Sequence, residues 1–201
     1  MDMTGAGSFL DDDMRTRLAA LYGAADRHYH GMSHIEDLLA LAHDHADLVD
    51  DADALEAAIW FHDAILDTRR ADNEALSARL AGEWLVARAA AQRVEAVIAM
   101  IEATATHVIP NHVTPSVRND MSAFLDMDLS ILGASPERFD EYEAAVRKEY
   151  SWVEDDAWRQ GRALVLQRFL DRPVIYATPR FRDLYEDAAR ANIARSLSKL
   201  A

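Results

Sequence analysis

The sequence predicts an all-α protein, a helical bundle forming a single domain over 1–201. Three observations carry this expectation: apolar residues recur at three- and four-residue intervals, no run of four to eight residues alternates as a half-buried strand does, and the breaks between periodic segments are short and polar. A chain of 201 residues suits one good-sized core, since about 100–200 residues per domain is usual. It contains no internal repeat, no low-complexity tract and no linker long enough to part domains.

Taken in order, the periodic segments place helices at about 8–26, 34–49, 52–67, 73–89, 92–106, 115–132, 136–150, 154–170 and 179–200. Ser33-His34-Ile35-Glu36 has the form of a capping box, with Ser33 as N-cap and Glu36 reaching back, which puts His34 at the first helical position and His30 in the preceding loop. Asn73 and Glu74 suit a cap and a salt bridge at the next helix start but one. Three later helices open on a hydroxyl residue followed by proline: Thr114-Pro115, Ser135-Pro136 and Thr178-Pro179. The hydroxyl accepts from orphan N–H groups, and proline has no N–H to leave unpaired. Gly133 suits the end of the helix before Ser135.

Composition narrows the function classes. Half the residues are hydrophobic, yet no uninterrupted apolar stretch approaches the length that spans a bilayer, so no membrane partner is expected. The start, Met1-Asp2-Met3-Thr4-Gly5, lacks the basic and apolar regions of a secretory signal. Absence of cysteine rules out disulfides and thiolate metal sites and makes the cytoplasm the default compartment. A formal charge of −14 opposes binding to long nucleic acids. Residues 28–68 contain no Lys or Arg but ten Asp and Glu, a segment that attracts cations even if most of its acids are simply solvated.

Within that segment, His62-Asp63 interrupts the apolar run Ala57-Ala58-Ile59-Trp60-Phe61 and Ala64-Ile65-Leu66. At 3.6 residues per turn His62 shares a face with Leu55, Ala58, Ile59, Ile65 and Leu66, so it points where a core residue belongs, and Asp63 lies about 100° round the helix. One helix thereby offers an imidazole and a carboxylate to one ion, which would offset the cost of a carboxylate in apolar surroundings. The alternative is a core histidine bonded to a carbonyl and a carboxylate capping a neighbouring helix. A purely structural helical protein leaves Asp63 unexplained.

Other segments keep company with this pair: Arg27-His28-Tyr29-His30, His34-Ile35, Asp72-Asn73-Glu74-Ala75-Leu76-Ser77, Thr104-Ala105-Thr106-His107, and Leu125-Asp126-Met127-Asp128-Leu129-Ser130-Ile131-Leu132-Gly133. In this order, from Tyr22 to about Leu197, the chain resembles the HD superfamily of metal-dependent phosphohydrolases, and within it a family of predicted hydrolases of about this length. The resemblance implies an HD-type helical domain and a ligand set of His34, His62, Asp63 and a distant Asp, with His62 and Asp63 at the centre of catalysis. Asp128 and Asp126 both fall in the matching segment. They point about 160° apart on a helix, so one ion can hardly take both; Asp128 is the first choice, with Asp126 behind the ligands or on the substrate side.

Two imidazoles and two carboxylates suit Mn²⁺, Fe²⁺, Co²⁺, Ni²⁺ or Zn²⁺, or Mg²⁺ in the cell. Water completing the shell becomes a hydroxide source near neutral pH, which makes hydrolysis the natural chemistry. The implied substrate is a small phosphorylated molecule such as a nucleotide. Candidate substrate contacts are His30, His107, Arg69 and Arg70; forked guanidinium groups just after the His-Asp segment suit a phosphate, although a surface loop also explains them. His107 at a helix end is also explained by the helix dipole. Tyr142, Arg147, Glu149 and Tyr150 read as packing or pocket wall. The competing function is a non-catalytic metal- or nucleotide-binding helical module.

Overall fold

The computed structural model describes residues 8–201, so the reading of residues 1–5 lies outside it. Among the described residues there are nine α-helices and no strand: α1 (Asp12–Tyr22), α2 (Met32–Asp44), α3 (Ala52–Phe61), α4 (Asn73–Leu85), α5 (Ala91–Thr104), α6 (Pro115–Asp128), α7 (Pro136–Glu149), α8 (Asp155–Leu170) and α9 (Pro179–Leu200). Short 3-10 turns cover Ala46–Leu48 and Leu129–Gly133. Among these residues no helix is long and apolar enough to cross a membrane.

The apolar composition of α3 decides its place. Leu55, Ala57, Ala58, Ile59, Trp60 and Phe61 are all buried, and α1, α2, α4, α5 and α6 pack against the helix. Burying each large side chain there contributes about 1.5–3 kcal/mol. A second assembly gathers around the 3-10 turn after α6, which packs against α7 and α9. A Cβ at Gly133 would lie 2.6 Å from the Tyr185 Cβ and 2.7 Å from the Tyr185 carbonyl oxygen, so only glycine admits α9 this closely. Asn192 donates to the Leu132 and Ala134 carbonyls, and the Tyr176 hydroxyl donates to Leu129 O. The turn that follows α6 is therefore held by α9 and by the segment that precedes it.

Several local expectations change. Helix α2 starts one residue before Ser33: Gly31 occupies the N-cap without any side-chain cap bond, and Ser33 sits inside the first turn. The capping box is absent, and His34 occupies the third helical position. Helix α3 ends at Phe61 rather than 67, with His62 as C-cap. Other partners take the backbone groups that helix extension would use. Ser77 accepts from Ile65 N, Asn73 exchanges two bonds with the Asp67 backbone instead of capping α4, and Arg27 takes the Asp63 and Ala64 carbonyls. Ser135 and Thr178 cap their helices as expected, while Thr114 makes no side-chain cap bond. Five acids of 28–68 pair with arginines instead of standing free: Asp37 with Arg138, Asp47 with Arg180, Asp51 and Asp53 with Arg93, and Glu56 with Arg15.

Candidate metal centre

Helix α2 delivers His34 from its first turn, the end of α3 delivers His62, the residue after it delivers Asp63, and the last residue of α6 delivers Asp128. Their side-chain atoms converge on one point. His34 Nε2 lies 3.2 Å from His62 Nε2, 3.2 Å from Asp128 Oδ1 and 3.9 Å from Asp63 Oδ2. His62 Nε2 lies 3.1 Å from Asp63 Oδ2 and 3.8 Å from Asp128 Oδ1. The imidazoles are almost wholly buried, at 5% and 2% exposure. His34, His62 and Asp63 form a group able to hold a metal ion, and Asp128 Oδ1 approaches its two imidazoles from the end of α6.

Two features test whether these residues fit a cation. An ion about 2.1 Å from each ligand leaves ligand atoms about 3.0 Å apart at right angles and about 3.4 Å apart at tetrahedral angles. Three of the five separations, at 3.1–3.2 Å, fall between those values, and the two at 3.8 and 3.9 Å correspond to wider angles at the ion. Second, His62 Nδ1 donates to the Ile59 carbonyl at 2.9 Å, which fixes the neutral ring with its Nε2 lone pair facing the cluster. Metal-ligating histidines use their other nitrogen in this way.

The electrostatics agree with a cation-seeking centre. Burial opposes charging His62, but the Asp63 carboxylate beside it and Asp128 push its pKa up to about 9. Burial likewise opposes ionisation of Asp63, yet His62 and His30 hold it well below the usual carboxylate range. Asp128, also desolvated, is held low by hydrogen bonds from His107 and His34. With no metal ion bound, a proton on His62 supplies the positive charge.

Around the centre, the structure brings in some candidates and leaves out others. His107 Nε2 pairs with Asp128 Oδ2 at 2.9 Å, from a backbone in the left-handed region, φ 50°. A non-glycine residue is seldom held there; Arg172 clamps the turn by donating to the Thr106 and His107 carbonyls. His30 stands beside the site with Nδ1 2.7 Å from Glu149 Oε2. Asp126 does not join: its two oxygens accept from Ala177 N, Thr178 N and Thr178 Oγ1, so it anchors the start of α9. Arg69 and Arg70 are also elsewhere, because Arg70 is paired twice with Asp72 and Arg69 lies over the Trp152 ring.

Two positioning residues carry more than their sequence reading gave them. Glu149 Oε1 accepts from three successive N–H groups, of His28, Tyr29 and His30, at 2.7–2.9 Å. Arg27 donates to the carbonyls of His30, Asp63 and Ala64 and so ties the loop before α2 to the segment after α3. Both lay inside family-like segments, the only signal the sequence offered. A cavity of about 480 Å³ opens against the cluster, walled by Tyr29, His30, His107, Asp128, Tyr142 and residues of α8; that volume is ample for a small ligand. No protein-family model matches the chain, and no curated protein or solved structure is significantly similar to it.

Proposed function

We propose that the chain is a metal-dependent phosphohydrolase of HD type, acting on a small phosphorylated molecule such as a nucleotide. The observation that supports this reading most is the convergence of His34, His62, Asp63 and Asp128 beside a cavity, in the chain order His, His-Asp, Asp that carried the resemblance. An all-helical architecture accords with it.

In this reading those four side chains hold one divalent ion, and when bound the ion supplies Lewis acidity toward a phosphate oxygen and makes water acidic enough to attack near neutral pH. The remaining work falls to the chain's own groups. The Ile59 carbonyl and His107 orient two ligands, the first by accepting a hydrogen bond from His62 Nδ1 and the second by bonding Asp128 Oδ2. Glu149 and Arg27 fix the loop bearing His30. His30, with Glu149 behind it, is placed to give or take a proton at a group bound in the cavity. Tyr29 and Tyr142, packed edge-to-face at 4.6 Å, wall the cavity beside His30.

The test is a screen of Mn²⁺-loaded protein over nucleotides and sugar phosphates, reading released phosphate or pyrophosphate, with Asp63→Ala in parallel. Metal-dependent release by the native chain and loss of turnover in the variant, with helix content unchanged, is the expected outcome. Metal binding without turnover of any phosphorylated compound would instead make the chain a binding module.

A further inference from the structure

The same cavity carries a second chemical feature away from the four ligands. One wall presents Arg162, Arg168 and Phe169 of α8 and, two residues past the end of that helix, Arg172. The first of these is spent, because Arg162 is buried and paired with Glu143 and the Tyr142 hydroxyl. The others are not. The Arg168 guanidinium is exposed and makes no hydrogen bond or ion pair among the described residues. Arg172 bonds only to carbonyl oxygens and stacks over Phe169 at 4.6 Å, so no carboxylate among those residues balances its charge. In a chain of net charge −14, two uncompensated guanidinium groups on one cavity wall are a local reversal of sign. They also stand close to the metal centre: His107 contacts Arg172 through its carbonyl and Asp128 through its ring. Between them the wall is apolar, with Val108 and Val165 left 58% and 40% exposed.

We propose that Arg168 and Arg172 form an anion subsite, so that the preferred substrate carries two anionic groups, one at the metal centre and a second phosphate held at the C-terminal end of α8. Guanidinium forks recognise phosphate oxygens in this way, and the exposed valines cover the uncharged body of the molecule. The identity of the first group rests on the phosphohydrolase reading; the subsite itself does not.

Two measurements separate the two ideas. Inorganic pyrophosphate titrated calorimetrically into the metal-free protein should bind, and Arg168→Glu should weaken that binding about tenfold or more, whereas Arg168→Lys should retain most of it. With Mn²⁺-loaded protein, the ratio of kcat/KM for adenosine 3′,5′-bisphosphate to that for adenosine 5′-monophosphate should exceed one and fall about tenfold in Arg168→Glu, chiefly through KM. Pyrophosphate binding equal in the native chain and Arg168→Glu, or absent from both, overturns the subsite even if metal-dependent turnover is found. Charge-sensitive pyrophosphate binding with no turnover of any phosphorylated compound leaves the subsite standing and overturns the phosphohydrolase reading.

Discussion

Asp126 and Asp128 stand two residues apart near the end of α6, both shielded from solvent, and yet they do opposite work. Asp126 faces the start of α9, where two backbone N–H groups and the Thr178 hydroxyl take its oxygens. Burial pushes its carboxyl up, with those hydrogen bonds pulling back. Asp128 faces imidazoles, and although burial opposes its charge, His107, His34 and His62 hold it far down. The comparison teaches that burial alone does not mark a ligand. A carboxylate whose acceptor sites are used by fixed backbone donors anchors structure, while one aimed at ring nitrogens remains free to bind a cation.

The largest expected effect sharpens that contrast. Asp128→Ala should lower Mn²⁺ affinity about 1000-fold, roughly 4 kcal/mol, and that loss of metal is its distinguishing effect. Asp126→Ala should do the reverse, leaving Mn²⁺ affinity intact while costing about 3 kcal/mol of stability, because three donors lose their buried acceptor. Paired metal titrations and thermal melts read both; equal loss of metal affinity in the two variants would break the distinction.

How much of this was legible beforehand follows from the same contrast. Helical periodicity exposed nearly every helix, and His62 stood out because a polar ring occupied an apolar face. The end of α3 was not legible, since the partners that stop it, Arg27, Asn73 and Ser77, are distant in sequence or separated by a turn. Spacing on one helix showed that Asp126 and Asp128 diverge; only the packing of α9 shows which one is occupied. Arg69 and Arg70 looked suited to phosphate because they follow His62-Asp63 along the chain, but the early end of α3 turns them toward Asp72 and Trp152. The guanidinium groups that do line the cavity, on α8 and just past its end, lie about a hundred residues further along, where no local pattern links them to the metal centre.

The next effect is one of pH. In the metal-free protein His62 titrates at about 9, above its ordinary 6.5, so below pH 9 an entering cation must displace its proton. Metal affinity should therefore rise with pH, by up to about tenfold per unit, and level off above about pH 9. Asp63 and Asp128, both held low, stay ionised and add no slope there. The same shift sets stability: the raised pKa contributes stability fully below pH 6.5, and that contribution is lost as pH rises through about 9. Metal titrations across this range check the sign, and affinity that falls with rising pH would contradict the proton assignment.

The smallest effect concerns the exposed Arg69 and Arg70. Replacing both with Ala should change stability by no more than about 0.5 kcal/mol and leave metal affinity and kcat/KM as they were. A tenfold loss of kcat/KM would return these two residues to the substrate site and weaken the case for α8.

The central claim, that four side chains from α2, the end of α3 and α6 hold one cation, is tested most directly by anomalous diffraction from Mn²⁺-loaded crystals. The expected result is one peak within about 2.0–2.3 Å of His34 Nε2, His62 Nε2, Asp63 Oδ2 and Asp128 Oδ1. A peak that excludes His62 and Asp63, or none within reach of them in metal-saturated crystals, would contradict it.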